Sequence, residues 1–364
     1  MAHRGARATI ADVAREAGVS KGTVSMALTG RGRVAPGTRE KVLEVAQRLD
    51  WVPSARARSL STDRADALGL VLAREPEHLG ADPFFAPFIA GIEAALSPRG
   101  QALVLHVVST SAEERDAYRR LAAGRVDGVL LTDLRVDDER PALLADLGLP
   151  ALAVGHQRST TSSATLPQVA LDDRAGVRAV VDHLVELGHR RLAHVTGSQQ
   201  LVHGVDRLEA FRAAVAVHGG ALDTPTVLEG DFSAASGAAA AHRWVADRAA
   251  HGAAVAPTAL VVANDLMATA ALGVLAAAGV RVPAEVSVTG FDDAPLAAHL
   301  SPPLTTVRSD AAAWGRAAAD ALLDLLEDDD DGRRSTDGQR SRHGPPDLPA
   351  ARLVVRASTG APPA

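Results

Sequence analysis

Between Thr9 and Ser25, the short polar or cationic side chains of Thr9, Ser20, Lys21, Thr23 and Ser25 interleave with Ile10, Val13, Ala14, Ala17 and Val24. Hydroxyls and an ammonium can donate to phosphate oxygens, and a lysine can also reach O6 or N7 of guanine. A second set lies far down the chain: Arg207, Asn264, Asp265 and Asp292. A guanidinium offers a planar fork of donors and a carboxylate accepts, so an arginine and an aspartate together can clamp vicinal hydroxyls.

The first set must be held by helices. Ile10, Val13, Ala14 and Ala17 recur at i, i+3, i+4 and i+7, which gives one apolar helix face. Gly18 supplies a turn and Ser20 is a good N-cap for a second helix running to about Thr29. Val24 and Leu28 then face inward and Lys21, Gly22, Ser25 and Met26 outward. A third helix is expected from Pro36 to Asp50, closing a small core with Val42, Val45, Ala46 and Leu49. Two short helices around a glycine turn form a unit that can enter a DNA groove.

Charge points the same way. Residues 1–65 hold 12 Lys and Arg against 6 acids, a balance of +6, whereas the whole chain carries −6 and the remainder therefore −12. A basic head on an acidic body is the electrostatic footprint of a DNA-binding domain joined to something else.

The second set must be held by the body. With 364 residues, 47% of them hydrophobic, the chain can bury a large core over two or three domains. Strands are expected near Ala67 to Ala73, Ala102 to Val108, Gly128 to Thr132, Ala151 to Val154, Arg191 to Val195, Ala259 to Ala263 and Val286 to Thr289. A last one is expected at Leu353 to Val355. Helices such as Phe88 to Leu96, Arg174 to Leu187, Arg207 to Val217 and Met267 to Ala278 alternate with them. This alternation argues for two α/β lobes with parallel sheets covered on both faces. In such sheets ligands sit beyond the carboxyl ends of strands, where Arg207, Asn264, Asp265 and Asp292 fall, with His156 and Gln157 beyond Val154 as further pocket candidates. The run from Glu327 to Pro346, acidic and then basic, reads as a disordered loop.

The chain as a whole resembles the lactose-repressor (LacI/GalR) family of bacterial transcription regulators. In the head the resemblance is carried by Asp12-Val13-Ala14, Ala17-Gly18-Val19-Ser20, Thr23-Val24-Ser25, Thr38-Arg39-Glu40-Lys41-Val42 and Trp51-Val52-Pro53. The body contributes Leu187-Gly188-His189-Arg190, Ala263-Asn264-Asp265, Gly290-Phe291-Asp292-Asp293 and Pro302-Pro303-Leu304-Thr305-Thr306-Val307. It implies an all-α helix-turn-helix head over residues 1–53 and a hinge helix and linker over 54–65. The body, 66–360, is then like periplasmic sugar-binding proteins, with two doubly wound parallel-sheet lobes. Lobe 1 would take about 66–165 and 311–328, lobe 2 about 166–310 and 348–358, and 329–347 would be the disordered loop. It further implies a homodimer reading a pseudo-palindromic operator and a small-molecule effector, a sugar or derivative before a nucleobase or nucleoside, that releases a repressor.

Residue by residue, the resemblance places Lys21 and Gly22 at the positions that set base preference, with Met26 where many relatives carry arginine. Thr9, Ser20, Thr23, Ser25 and Thr38 match phosphate-touching positions, and Thr29, Arg33, Ser54 and Arg58 complete the DNA-facing set. Leu60 matches a leucine wedged from the minor groove into the central base step, with Ala57 beside it; such a wedge bends the duplex. In the body, Arg207, Asn264 and Asp292 match effector-holding residues, while Phe232 and Phe85 match pocket aromatics. Gly155 stands where some sugar-sensing members carry an aspartate.

Other chemistry is poorly served. No P-loop, G-x-G-x-x-G after a strand, G-x-S-x-G or H-E-x-x-H occurs, so an enzyme is not expected. The 13 histidines are scattered, His183 and Glu186 share a helix face without further metal-site support, and zero cysteines exclude disulfides and thiolate chemistry. Neither metal nor cofactor is expected. With no run of about 18 apolar residues and no export signal, a cytoplasmic protein without membrane contact is expected. The absence of C-terminal leucine heptads favours a dimer over a tetramer. A sugar- or nucleoside-binding protein without regulatory role would explain the body alone, but not the basic head.

Overall fold

The computed structural model describes residues 8–29, 34–51, 64–74, 80, 82–159, 165–332 and 348–363. The chain divides into two compact units, Met1–Asp66 and Ala67–Ala364. Arg33, Ser54, Ala57, Arg58 and Leu60 lie outside the described residues, and so does the proposed hinge helix.

The first unit holds three helices, α1 (Ile10–Ala17), α2 (Lys21–Thr29) and α3 (Pro36–Arg48). Each start and stop has a local cause. Before α1, the Thr9 backbone N–H and hydroxyl both donate to the Asp12 carboxylate, at 3.0 and 2.7 Å. After it, Gly18 takes φ 69°, a left-handed conformation that costs glycine little. Ser20 Oγ accepts from Thr23 N at 3.0 Å to open α2, and Pro36 opens α3 with the φ a first turn needs. Val13, Ala14, Ala17, Val24, Ala27, Val42, Val45 and Ala46 form the buried core. The third helix stops at Arg48, short of the expected Asp50, whose own φ is 47°.

The second unit opens with a parallel five-stranded sheet of order β2-β1-β3-β4-β5: β1 (Ala67–Ala73), β2 (Ala102–Val108), β3 (Gly128–Leu131), β4 (Ala151–Val154) and β5 (Gln168–Val169). Its helices are α4 (Phe85–Leu96), α5 (Ser111–Ala122) and α6 (Arg140–Asp146). A second parallel sheet, order β7-β6-β8-β9, consists of β6 (Leu192–Val195), β7 (Thr226–Leu228), β8 (Ala259–Val262) and β9 (Ser287–Thr289). Around it stand α7 (Asp173–Glu186), α8 (Val202–His218), α9 (Ala234–His251) and α10 (Asp265–Ala277). The chain then forms β10 (Thr306–Arg308), returns to lobe 1 as α11 (Ala311–Gly332), which packs on α4, and ends in lobe 2 with β11 (Arg352–Val354) antiparallel to β10.

Alternation along the buried strands explains why both faces of the second sheet are covered. Leu260 and Val262 of β8 join the core with Met267 and Leu272, whereas Ala259 and Val261 face the other core with Phe211 and Val181. In lobe 1, Leu68, Leu70 and Leu72 of β1 face Phe88, Ile92 and Leu322. Gly91 lets α4 and α11 touch, since a Cβ there would lie 2.0 Å from the Ala312 carbonyl oxygen.

Three further expectations change. Lobe 1 runs past residue 165, because β5 pairs with β4 through Ala153–Gln168 and Val154–Val169; two residues are too few to show a period. The segment assigned to a disordered loop from 329 is helical to Gly332, since extending an existing helix is cheap compared with starting one; residues 333–347 lie outside the described ones. Helix α8 begins at Val202 rather than Arg207, which places Arg207 in its second turn.

Candidate functional site

On the first unit, Thr9, Ser20, Lys21 and Gly22 are exposed around the start of α1 and α2, and Met26 is 40% exposed one turn further along α2. Thr23, Ser25 and Thr38 are half-buried. The hydroxyls already have work: Thr9 bonds Asp12, Ser20 caps α2, and Thr23 Oγ1 lies 2.9 Å from Ser20 Oγ. Capping leaves further lone pairs and the outward face of α2 available to phosphate. Arg39 Nε donates to the Ala27 carbonyl at 3.1 Å, tying the C-terminal end of α2 to α3. Thr29 is the last residue of α2.

In the second unit, residues beyond the C-terminal ends of strands in both lobes enclose a cleft of about 910 Å³, open mouth included. Backbone bonds join the lobes beside it: Val202 N donates to Leu134 O at 2.8 Å and Val136 N to Gln200 O at 3.0 Å.

The lobe 2 wall carries Arg207, Phe232, Asn264 and Asp292. Arg207 is buried, its Nε donating to Asp173 Oδ2 at 2.9 Å and Nη1 to the Ala263 carbonyl at 2.7 Å. Its guanidinium lies 3.7 Å over the Phe291 ring and 3.9 Å from the Asp292 carboxylate. Burial pushes the Asp292 carboxyl well above the usual range, only partly opposed by Arg207. Asn264 is the N-cap of α10: its Oδ1 accepts from Met267 N at 2.9 Å and Nδ2 donates to Phe232 O at 3.1 Å. One amide N–H is left for a ligand. The Phe232 ring packs on Gly197, where a Cβ would come within 1.9 Å of it, and lies 4.7 Å from His203.

The lobe 1 wall carries Arg74 after β1, Thr132 and Asp133 after β3, Gly155 and His156 after β4, Phe84 before α4 and Trp314 on α11. Arg74 forks onto Asp133 at 2.7 and 2.8 Å and reaches Asp82 at 2.9 Å. Burial alone would raise Asp133, but the charge and hydrogen bonds of Arg74 outweigh it and hold the carboxyl below its ordinary value. Burial, with Arg207 adding to it, lowers His203 to about 4, so this ring is neutral at physiological pH.

Sequence reasoning placed Arg207, Phe232, Asn264, Asp292 and His156 on this cleft, and they are there. Phe85 is not on the wall: it is buried under Arg74, 4.8 Å from the guanidinium, and its neighbour Phe84 takes the wall position. Gln157 is also off the wall, because its amide bonds the backbone of Leu166 in both directions, at 2.8 and 3.0 Å. Arg74, Thr132, Asp133, His203 and Trp314 were missed. The strand-end rule that found Asp292 would have found Arg74 and Asp133 had it been applied to β1 and β3; nothing local marks Trp314. Among the described residues there is no group of three or more metal-ligating side chains. No described helix is long and apolar enough to cross a membrane.

Both units of the chain match known protein families. Residues 9–54 match the lacI family of bacterial regulatory proteins, and residues 181–359 the periplasmic binding protein-like domain. The HTH-type transcriptional regulator CelR of Thermobifida fusca is 39% identical over 320 residues, 88% of this chain and 92% of that one. The HTH-type transcriptional repressor PurR of Photobacterium profundum is 33% identical over 335 residues, 90% and 94% of the two chains. Among solved structures, a CelR–cellobiose complex aligns with TM-score 0.68 at 34% identity, covering 97% of this chain and 100% of that one. The lac repressor dimer bound to operator and an anti-inducer aligns with TM-score 0.77 at 27% identity, covering 98% and 100%. The chain belongs to the lacI family of bacterial regulatory proteins, and is a ligand-responsive DNA-binding transcriptional regulator rather than an enzyme.

Proposed function

We propose that this protein is a homodimeric repressor that leaves its operator when a sugar or sugar derivative fills the cleft. The observation that carries the sugar reading is the lobe 2 wall. Asp173 and Asp292 flank the Arg207 fork, whose guanidinium lies 6.0 Å from the Phe232 ring centroid, so hydroxyl-binding groups and an aromatic ring line the same wall. The cellobiose bound by CelR supports the same class. Arg207, Asn264, Asp292, Phe232 and His156 are the proposed ligand contacts.

On DNA, Lys21 reads a base edge, Gly22 leaves room, and Met26 offers apolar contact to a thymine methyl. Thr9, Ser20, Thr23, Ser25, Thr29 and Thr38 set register on phosphates, with Arg33, Ser54 and Arg58 alongside, and Leu60 with Ala57 forms the minor-groove wedge. The operator-bound lac repressor dimer supports two copies acting together. So do Leu105 and Val107, exposed on β2 at the edge of the lobe 1 sheet.

The test is to select bound duplexes from random DNA, then titrate the selected operator complex with sugars while following fluorescence anisotropy. Release by a sugar that binds the free protein is the expected result, and by linkage operator must weaken sugar binding by the same factor. A sugar that binds tightly and leaves operator affinity unchanged would overturn the reading.

A further inference from the structure

We propose that Arg158 is a positioning residue: it braces the two lobes in the arrangement that a sugar in the cleft also favours, and so sets how much sugar release requires. This rests on the sugar-release reading above and goes beyond it by assigning the response to an ion pair outside the cleft.

Three observations carry it. First, the pair joins one lobe to the other. Arg158 follows β4 of lobe 1, whereas Asp206 and Glu209 stand three apart on one face of α8 in lobe 2. Arg158 Nη1 donates to Glu209 Oε1 at 2.8 Å, Nη2 donates to Glu209 Oε2, and Nη2 lies 3.0 Å from Asp206 Oδ1. The fork holds the Glu209 carboxyl below its ordinary value, so both partners stay charged. The Asp206 side chain is only 9% exposed, and the Arg174 guanidinium is 3.7 Å from it. Lobe motion that withdrew Arg158 would strand this carboxylate beside one more distant cation, which is costly for a buried charge.

Second, the lobe 1 end of the pair is stiff. The Arg158 carbonyl accepts from Asp137 N at 3.1 Å, in the same loop whose Val136 N donates to Gln200 O across the lobes. Arg140 fastens that loop. Its Nη2 donates to the Thr132 and Asp133 carbonyls at 3.1 and 2.8 Å and to Asp138 at 2.6 Å, while Nη1 reaches the buried Glu114 at 3.1 Å. A loop tied at so many points does not follow α8 when the lobes part, so the ion pair breaks instead.

Third, the pair ties the same two segments that a ligand would. His156 stands two residues before Arg158, and Arg207 is next to Asp206; both are on the cleft wall, one from each lobe. Neither Arg158 nor Glu209 is on that wall. A sugar bridging His156 and Arg207 therefore favours the same lobe arrangement as the ion pair without touching it, and the population shifts add.

Calorimetry with cellobiose, maltose and lactose on the full-length protein tests this at about 0.05 and about 0.5 M salt. At low salt, Arg158→Met is expected to bind a responsive sugar about fivefold more weakly than wild type, and to need about fivefold more of it to release operator, the effect of one partly exposed ion pair. These sugars are uncharged, so in wild type their affinity should fall about threefold at high salt as the pair is screened, and in Arg158→Met it should not change. Arg158→Lys keeps the charge without the fork and should recover part of the loss. Glu209→Gln should repeat the loss and add little to Arg158→Met, since the two act as one unit. A variant that is merely unstable would show neither the lysine recovery nor the lost salt dependence. The brace itself is read without ligand. The chain has no cysteine, so Arg115→Cys on α5 and Arg243→Cys on α9 accept a fluorophore pair, and dilution into unlabelled protein isolates energy transfer within one chain. Arg158→Met should broaden the interlobe distance distribution. Unchanged transfer, or sugar binding as tight and as salt-dependent in Arg158→Met as in wild type, would overturn the brace while leaving the sugar reading intact. Failure of all three sugars to bind would tell against the sugar reading and not the brace, which the transfer measurement then decides.

Discussion

Raising the pH from about 4 to above 7 is expected to cost the body roughly 4 kcal/mol through one side chain, Asp265. This residue opens α10 and is 2% exposed. Its carboxyl accepts from Thr306 Oγ1 at 2.6 Å and Ala294 N at 2.7 Å, and so holds the turn that carries Asp292 and Asp293. Burial raises its pKa to about 7; the bonds from Thr306 and Ala294 pull the other way and lose. Because the folded pKa lies above the unfolded value near 3.8, the folded state holds a proton that the unfolded state releases between those limits. Stability from this group is therefore complete below about pH 4 and declines until the folded pKa is passed. Three pH units at about 1.4 kcal/mol each give the figure above. Urea unfolding of the wild type and Asp265→Asn, followed by circular dichroism from pH 4 to 7.5, isolates it, since other titrating groups cancel in the difference. The wild type should lose about 4 kcal/mol relative to the variant over this range. Two stability curves that stay parallel would refute the reasoning.

Three further outcomes follow from particular contacts. Lys21→Ala should weaken binding to the selected operator by about 1–3 kcal/mol and relax preference at one base pair, measured by anisotropy against a set of single-base operator variants. Arg207→Lys keeps the charge but loses the fork that spans Asp173 and the Ala263 carbonyl, so calorimetry should show effector affinity falling at least tenfold while operator affinity is retained. Gly91→Ala forces a methyl to within 2.0 Å of the Ala312 carbonyl and should destabilise the body by about 1–3 kcal/mol, read from the urea midpoint.

Much of the head was legible because its determinants are local. Thr9 with Asp12, Gly18, Ser20 and Pro36 act within three or four residues of where they stand, and the core of Val13, Ala17, Val24 and Val42 follows the helical period. In the body the strand-end rule reached Asn264 and Asp292, since a strand's carboxyl end is visible in its own apolar run. The rest depended on partners distant in sequence. Arg74 finds Asp133 across 59 positions, and Trp314 reaches the Val169 carbonyl across 145. Choosing Phe84 rather than Phe85 for the wall depends on which ring Arg74 covers, and Gln157 is withdrawn by a loop that brings Leu166 beside it. Local propensity and period thus determined the helices and the alternating strands, while the class of regulator rested on the family resemblance carried by motifs along the whole chain. Which side chains meet in the cleft, and which of their charges are already neutralised there, was decided only when the strands and helices of each lobe packed, because pairing and burial are properties of neighbours in space.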